Sequence, residues 1–203
     1  HPMLNMPCPT QSTIPQIMEL LQSKDMEIDA AWEAKNWNSY IFAHARPYRI
    51  HALGNVLGVS RASKCWKVII EVWMDSEHIS QHYDEWMDIW SRGFDNNGTQ
   101  RKMIAAAMSQ KSKLLHQNLP EYFTVYRGYS NEAALRGFSW TTNRDKALWF
   151  AKRSGRKDSF IAALQISKAE AIIILDDRSE QEVILLADLI DLSDCTIESV
   201  SNE

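Results

Sequence analysis

The feature that most constrains this chain is a change of texture at Leu119-Pro120. Before it, apolar residues recur at three- and four-residue spacing. After it, they alternate or gather in short β-branched runs. The first pattern buries one face of a helix, and the second buries one or both faces of a strand. The proline ends the last helix, because it disfavours helical geometry in the residue before it. The chain therefore reads as α+β, with a helical lobe over residues 1–119 and a compact strand-rich domain over residues 120–203.

Within the lobe, Thr13-Ile14-Pro15 opens a helix, since proline suits a first turn. Ile17, Met18 and Leu21 share its face. A second short helix carries Ile28, Ala31 and Trp32. Residues 47–61 hold two glycines and no clean period, and read as loop or broken helix. Trp66, Ile69, Ile70 and Trp73 fall at i, i+3, i+4 and i+7. The run Val68-Ile69-Ile70 also suits a strand, but tryptophans on one face favour a helix. Asp75 or Ser76 caps the next helix, whose stripe is Ile79, Tyr83, Trp86 and Trp90, and Asn96-Asn97-Gly98 stops it. One helix over residues 99–117 turns Ile104, Ala107, Met108 and Leu115 inward. Trp66, Trp73, Trp86 and Trp90 read as core packing rather than a ligand platform.

After Pro120, strands are expected over residues 122–126, 138–141, 160–166, 172–175 and 182–186, with one more at 197–200. Thr142-Asn143 caps a helix whose inner face is Ala147, Phe150 and Ala151.

Composition narrows the function. The chain has 203 residues, 45% hydrophobic and 24% charged, which is ordinary for a globular protein. A net charge of −4 and a pI of about 5.9 argue against a generic nucleic-acid surface. Cys8, Cys65 and Cys195 are far apart and odd in number, so neither a disulfide framework nor a CxxC zinc site is expected. A reducing, cytoplasmic setting and a monomer are the expectation. No apolar run approaches the ~20 residues of a membrane span, and no signal-peptide pattern appears. His1-Pro2 before Met3 reads as an expression scar.

Several motifs are absent. There is no GxGxxG, GxxxxGK[ST] or GxSxG, so a Rossmann site has no support. His78 and His82 have the spacing of two zinc ligands, but Ile79 stands where HExxH needs a glutamate. An exposed histidine pair and no metal are expected.

Three segments of the second part fit one chemistry. They are Tyr126-Arg127-Gly128, then Gly137-Phe138-Ser139-Trp140-Thr141-Thr142, then Glu180-Gln181-Glu182-Val183-Ile184-Leu185. Taken singly, Arg127 is an ordinary surface ion-pair residue, Ser139 a plain strand residue, and Glu180 and Glu182 solvated charges. In this order they resemble the arginine–serine–glutamate clade of ADP-ribosyltransferases. That clade carries an aromatic-Arg pair on its first strand, a Ser-Thr-Ser-like strand, and a Glu/Gln-x-Glu element opening a later strand. Here the middle motif is Ser-Trp-Thr-Thr. The resemblance covers only the strand-rich domain, and extends to short phage and bacterial members, including toxin-like and anti-CRISPR transferases.

The resemblance implies an ADP-ribosyltransferase-like mixed β-sheet domain. Its substrate would be NAD, and its reaction transfer of ADP-ribose to a side chain of a bacterial or host protein. Nicotinamide leaves as a neutral group, so one carboxylate does the work of the usual glycosidase pair. Glu182 would be that anion, stabilising charge that develops in the transition state. Arg127, flanked by Tyr126 and Gly128, would clamp the pyrophosphate or adenosine side. Ser139 would hold Glu182, although an offset of two makes Thr141 the key hydroxyl. Trp140 and Phe150 offer aromatic surfaces to nicotinamide or to the core. Glu180 would orient an acceptor arginine and take its proton. Two alternatives remain: an NAD glycohydrolase with water as acceptor, and a non-catalytic binding module. The helical lobe would dock the target or serve as scaffolding.

Overall fold

The computed structural model describes residues 14–77, 79–94, 98–153, 158–189 and 191–200. The expected scar at His1-Pro2, Cys8, Thr13, His78 and Asn96-Asn97 lie outside the described residues. Among the described residues the architecture is mixed α/β, with nine α-helices and a six-stranded antiparallel sheet. No helix among them is long and apolar enough to cross a membrane. Secondary structure changes from helix to strand between Asn118 and Tyr122, as the texture of the sequence suggests. The compact units divide elsewhere. One takes in the elements up to Arg61 together with Glu71–Glu77; the other takes in Ala62–Ile70 and the elements beyond Glu77.

The first unit opens with α1 (Ile14–Glu33). Two helices were expected here, but no glycine or second proline interrupts the stretch, and it runs as one. Near its end Ala31 is buried, and Trp32 meets Tyr40 at 4.8 Å between ring centroids and Trp37 at 5.4 Å. Both partners lie on α2 (Trp37–Ala43), where Asn36 Oδ1 caps the start by accepting from Ser39 N at 3.2 Å. A 3-10 turn over Arg46–Tyr48 leads into α3 (Arg49–Val59), where a loop or broken helix was expected. Ile50, Leu53, Val56 and Leu57 are its buried stripe. A Cβ at Gly54 or Gly58 would meet nothing within 4 Å. The two glycines therefore weaken the helix signal without serving its packing.

Next comes α4 (Trp66–Asp75), a helix despite its β-branched run, with Trp66, Ile69, Ile70 and Trp73 all buried. Asp75 ends this helix instead of capping the next. It pairs with Arg46 at 3.3 Å and with Arg49.

In the second unit a 3-10 turn (Ile79–His82) precedes α5 (Tyr83–Ser91). Trp86 and Trp66 both stack on Trp90, at 6.0 and 6.1 Å. Trp66 also donates its indole N–H to Gln100 Oε1 at 2.8 Å. Packing is thus the role of these tryptophans. The single helix expected over residues 99–117 is two, α6 (Thr99–Ala107) and α7 (Gln110–Asn118). Ser109 breaks it, because extended backbone there lets its Oγ accept from Ser112 N at 3.1 Å as an N-cap. Ile104 and Met108 are buried as expected, while Leu115 is half-buried.

The strands are β1 (Tyr122–Tyr129), β2 (Ser139–Thr141), β3 (Ser159–Ser167), β4 (Ile173–Leu175), β5 (Glu182–Ile184) and β6 (Thr196–Val200), in the order β4-β5-β2-β1-β3-β6. Every described pairing is antiparallel, where a mixed sheet was expected. Short connections reverse the chain between β1 and β2 and between β4 and β5. One of them contains α8 (Glu132–Leu135). The long strands β1 and β3 pair from Tyr122↔Ser167 to Tyr129↔Phe160 and form the spine. Strands β4 and β5 are buried along their whole length, so their β-branched runs need no alternation. Between β2 and β3 lies α9 (Arg144–Arg153), with Ala147 and Ala151 buried beside Ile161 and Val200. It crosses β1 so closely that a Cβ on Gly128 would come within 2.6 Å of Ala151 N, and closer still to Ala147 O. Only glycine fits there.

Candidate active site

One rung of the sheet organises the site. Leu175, Glu182, Thr141 and Tyr126 stand opposite one another across β4, β5, β2 and β1. Partners on a rung share a face of the sheet, so three polar side chains from three strands share one side. A cavity of about 300 Å³ opens there. It lies at the low end of the roughly 300–1,000 Å³ usual for ligand pockets. Its wall includes Arg127, Arg153, Arg178, Glu180, Glu182 and Phe150. All three segments singled out in the sequence line it: Tyr126, Arg127 and Gly128; Ser139, Trp140 and Thr141; Glu180 and Glu182.

Glu182 is 4% exposed, the most deeply placed charge of the group. A carboxylate so buried needs a cation or donors to stay ionised. Arg178 supplies one. Its Nη2 is 3.1 Å from Glu182 Oε2 and 3.1 Å from Glu180 Oε2, so a single guanidinium bridges both acids.

The loop that carries Arg178 and Glu180 is fastened at several points. Ser179 and Gln181 both take left-handed backbone, with φ of 56° and 49°. This is unusual for residues with a Cβ and must be held by neighbours. Gln181 N donates to Asp176 Oδ1 at 3.2 Å, and Thr142 N donates to Gln181 O at 3.1 Å. Thr141 Oγ1 donates to Glu180 O at 2.6 Å and accepts from Asn143 N at 3.0 Å. From α7, Lys111 Nζ donates to Asp176 O at 2.7 Å and Ser179 Oγ at 2.8 Å. The buried Ser112 hydroxyl donates to Asp177 Oδ2 and accepts from Asp176 N, both at 2.8 Å.

The two hydroxyls expected as candidates to hold Glu182, those of Ser139 and Thr141, take different places on the ladder. The ladder sets Ser139 opposite Ile184 and Thr141 opposite Glu182. Thr141 ties the Glu180 backbone to the start of α9, whose cap Asn143 accepts from Asp145 N at 2.9 Å.

Arg127 leaves β1 next to Gly128. Its Nε donates to Ala134 O at 2.6 Å and its Nη1 to Ser139 O. Burial pushes its pKa down to about 10, while the negative charge of Glu182 and, less strongly, interaction with the Tyr83 phenol oppose the fall. It therefore remains a cation at neutral pH. A Cβ on Gly137 would collide with this guanidinium. Arg127 thus pins the segment between α8 and β2 at the cavity wall.

The two aromatic residues differ in burial. Trp140 borders the cavity but is 1% exposed and packed in the core, with its indole N–H buried and no hydrogen-bond partner. Phe150 is half-buried and lines the cavity. Arg153 lies over the Phe150 ring at 5.9 Å and over the exposed Trp149 ring at 5.5 Å.

Sequence reasoning missed Arg153, Arg178, Lys111, Ser112 and Ile79, the last of which also lines the cavity. A signal for Arg178 existed. Arg178, Glu180 and Glu182 alternate in Arg-x-Glu-x-Glu, which puts a cation in step with both acids. Ser112 and Lys111 carried no such signal, because their partners are more than sixty positions away. His82, considered as a zinc ligand, has its Nδ1 3.5 Å from Glu85 Oε1.

In chemical terms the cavity offers cations to an anionic group and a buried carboxylate to a centre that develops positive charge. Comparison with protein-family models, with curated proteins and with solved structures finds no match to this chain.

Proposed function

We propose that the chain is a mono-ADP-ribosyltransferase with an ADP-ribosyltransferase-like sheet domain, taking NAD and a protein acceptor as its substrates. The observation that carries this reading is convergence. Arg127, the Ser139–Thr141 strand and the Glu180/Glu182 pair lie more than fifty positions apart end to end, yet line one cavity in the order the resemblance requires.

The charges suit the substrate. A dinucleotide presents a pyrophosphate, and the cavity presents Arg127, Arg153 and Arg178. Two of the Arg127 donors serve Ala134 and Ser139. Arg153, held by aromatic faces, is accordingly the side chain best placed to turn to a phosphate. Glu182 supplies a fixed anion in a dry setting, where it stabilises positive charge on the ribose as the bond to nicotinamide lengthens. No general acid is needed, since nicotinamide departs neutral. Glu180, more exposed than Glu182, faces the entering acceptor and takes its proton. Arg178 keeps both acids in register until substrate arrives.

The test is to incubate the purified protein with NAD labelled on the adenine side and a bacterial lysate, beside a Glu182→Gln control. A labelled protein band lost in the control supports the transferase and identifies its target. Free labelled ADP-ribose without a band, again lost in the control, moves the reading to a glycohydrolase. Intact NAD and no band reject both in favour of a binding module.

A further inference from the structure

Of the large apolar side chains exposed among the described residues, six lie in the first thirteen positions of α1: Ile14, Ile17, Met18, Leu20, Leu21 and Met26. Their exposure runs from 41% at Ile17 to 67% at Met26. Scattered apolar residues on a surface are normal, but a contiguous set marks an interaction site. Ile14, Ile17, Met18 and Leu21 fall at i, i+3, i+4 and i+7, one face of the helix. Past Lys24 and Asp25, which occupy the next turn of that face, the helix carries Ile28, Ala31 and Trp32, where α2 begins to cover it. The face is therefore covered at one end and bare at the other.

Charge decides what suits the bare end. The helix carries Glu19, Asp25, Glu27, Asp29 and Glu33 against Lys24 alone, and Lys24 Nζ lies 2.7 Å from Glu27. Asp25, Asp29 and Glu33, all exposed, are four residues apart and form one acidic row along the helix. A second copy of α1 would bring a second acidic row, and like charges repel. A helix that lies on a bilayer carries Lys and Arg on its polar face, the opposite of this one. A helix with apolar anchors and flanking Lys or Arg satisfies both the stripe and the row, by the packing used in helix recognition generally.

We infer that α1 docks a basic amphipathic helix of a partner protein along this face. The apolar stripe supplies the contact, and the row Asp25, Asp29, Glu33 selects the sign of the partner's charge. This inference stands apart from the chemistry proposed for the cavity.

The test uses the full chain and a helical peptide patterned with leucine anchors and flanking lysines. Its controls are a twin with glutamates for lysines, and vesicles of anionic phospholipid. The expected result is binding of the lysine peptide alone, weaker as salt rises. Affinity should fall about tenfold or more in Ile17→Asp/Leu21→Asp and in Asp29→Lys/Glu33→Lys. All four positions are exposed, so the thermal midpoint should stay near that of wild type, and the charge-reversal pair tests the idea without touching the stripe. Equal binding to wild type and either variant overturns the inference, as does equal binding of the glutamate twin. Capture by the vesicles, or a dimer in sedimentation that Leu21→Asp dissolves, overturns it in favour of a membrane or a second copy.

Discussion

Gly137 lies against the guanidinium of Arg127, so near that a Cβ on it would stand 2.6 Å from Arg127 Cζ and closer to Nη2. The guanidinium cannot withdraw freely, because it holds the carbonyls of Ala134 and Ser139. Gly137→Ala should therefore overpack the wall of the cavity and destabilise the protein by about 1–3 kcal/mol. Gly128→Ala should cost more, since its Cβ would meet the backbone of α9 rather than a side chain. Urea denaturation of the two variants checks the order; a Gly137 variant costlier than its Gly128 counterpart would contradict it.

The bridge from Arg178 to Glu182 makes a second prediction. Glu182→Gln keeps the shape of the side chain, so the fold should survive. Turnover of NAD should drop by roughly a hundredfold or more, as when a stabiliser of transition-state charge is removed. A double-mutant cycle of Arg178→Ala with Glu182→Gln should give a coupling energy of about 0.5–3 kcal/mol. Strict additivity in chemical denaturation would mean that the ion pair holds nothing in place.

Thr141 and Ser139 can be separated by a single exchange each. Thr141→Val removes both the bond to Glu180 O and the acceptor for Asn143 N. It should cost about 1–3 kcal/mol, the penalty of unmade buried hydrogen bonds. Ser139→Ala should be milder in a thermal melt. Both variants also belong in the NAD assay, where a larger loss of turnover from Ser139→Ala would favour Ser139 as the key hydroxyl, and a larger loss from Thr141→Val would favour Thr141.

His116 sets a pH dependence. Burial, and secondarily the charge of Lys168, holds its pKa below 6.5. A depressed imidazole pKa means that, between the folded value and 6.5, the unfolded chain binds more protons than the native one. Stability from this residue is therefore full above pH 6.5 and declines as pH falls toward the folded pKa. Denaturation at neutral and at mildly acidic pH should show the loss in wild type and a smaller loss in His116→Gln. An NMR titration of the ring that gave a value above 6.5 would refute the assignment.

The legible part of this fold was the part with strong local period. The stripe Trp66, Ile69, Ile70, Trp73 outweighed a β-branched run, and the alternation from Tyr122 marked the central strand. What stayed hidden was set by tertiary partners. Gly54 and Gly58 disguised α3, whose stability comes from its buried stripe rather than from propensity. Ser109 broke a helix because its hydroxyl could cap α7, and the sequence offered no reason to prefer the cap to continuation. At the cavity, the acidic pair and Arg127 could be read from their motifs. The fastening of their loop by Lys111 and Ser112 could not, because it joins positions distant in sequence.

The rung that joins Tyr126, Thr141 and Glu182 ties chemistry to register. Strand β2 has three residues and is clasped by β1 on one side and β5 on the other. Sliding it by one residue would send Thr141 to the far face and take it off the rung it shares with Glu182. Correct closure of the sheet is thus the assembly step of the candidate site, and occupancy of the cavity by a ligand would report on the fidelity of strand pairing among β1, β2 and β5.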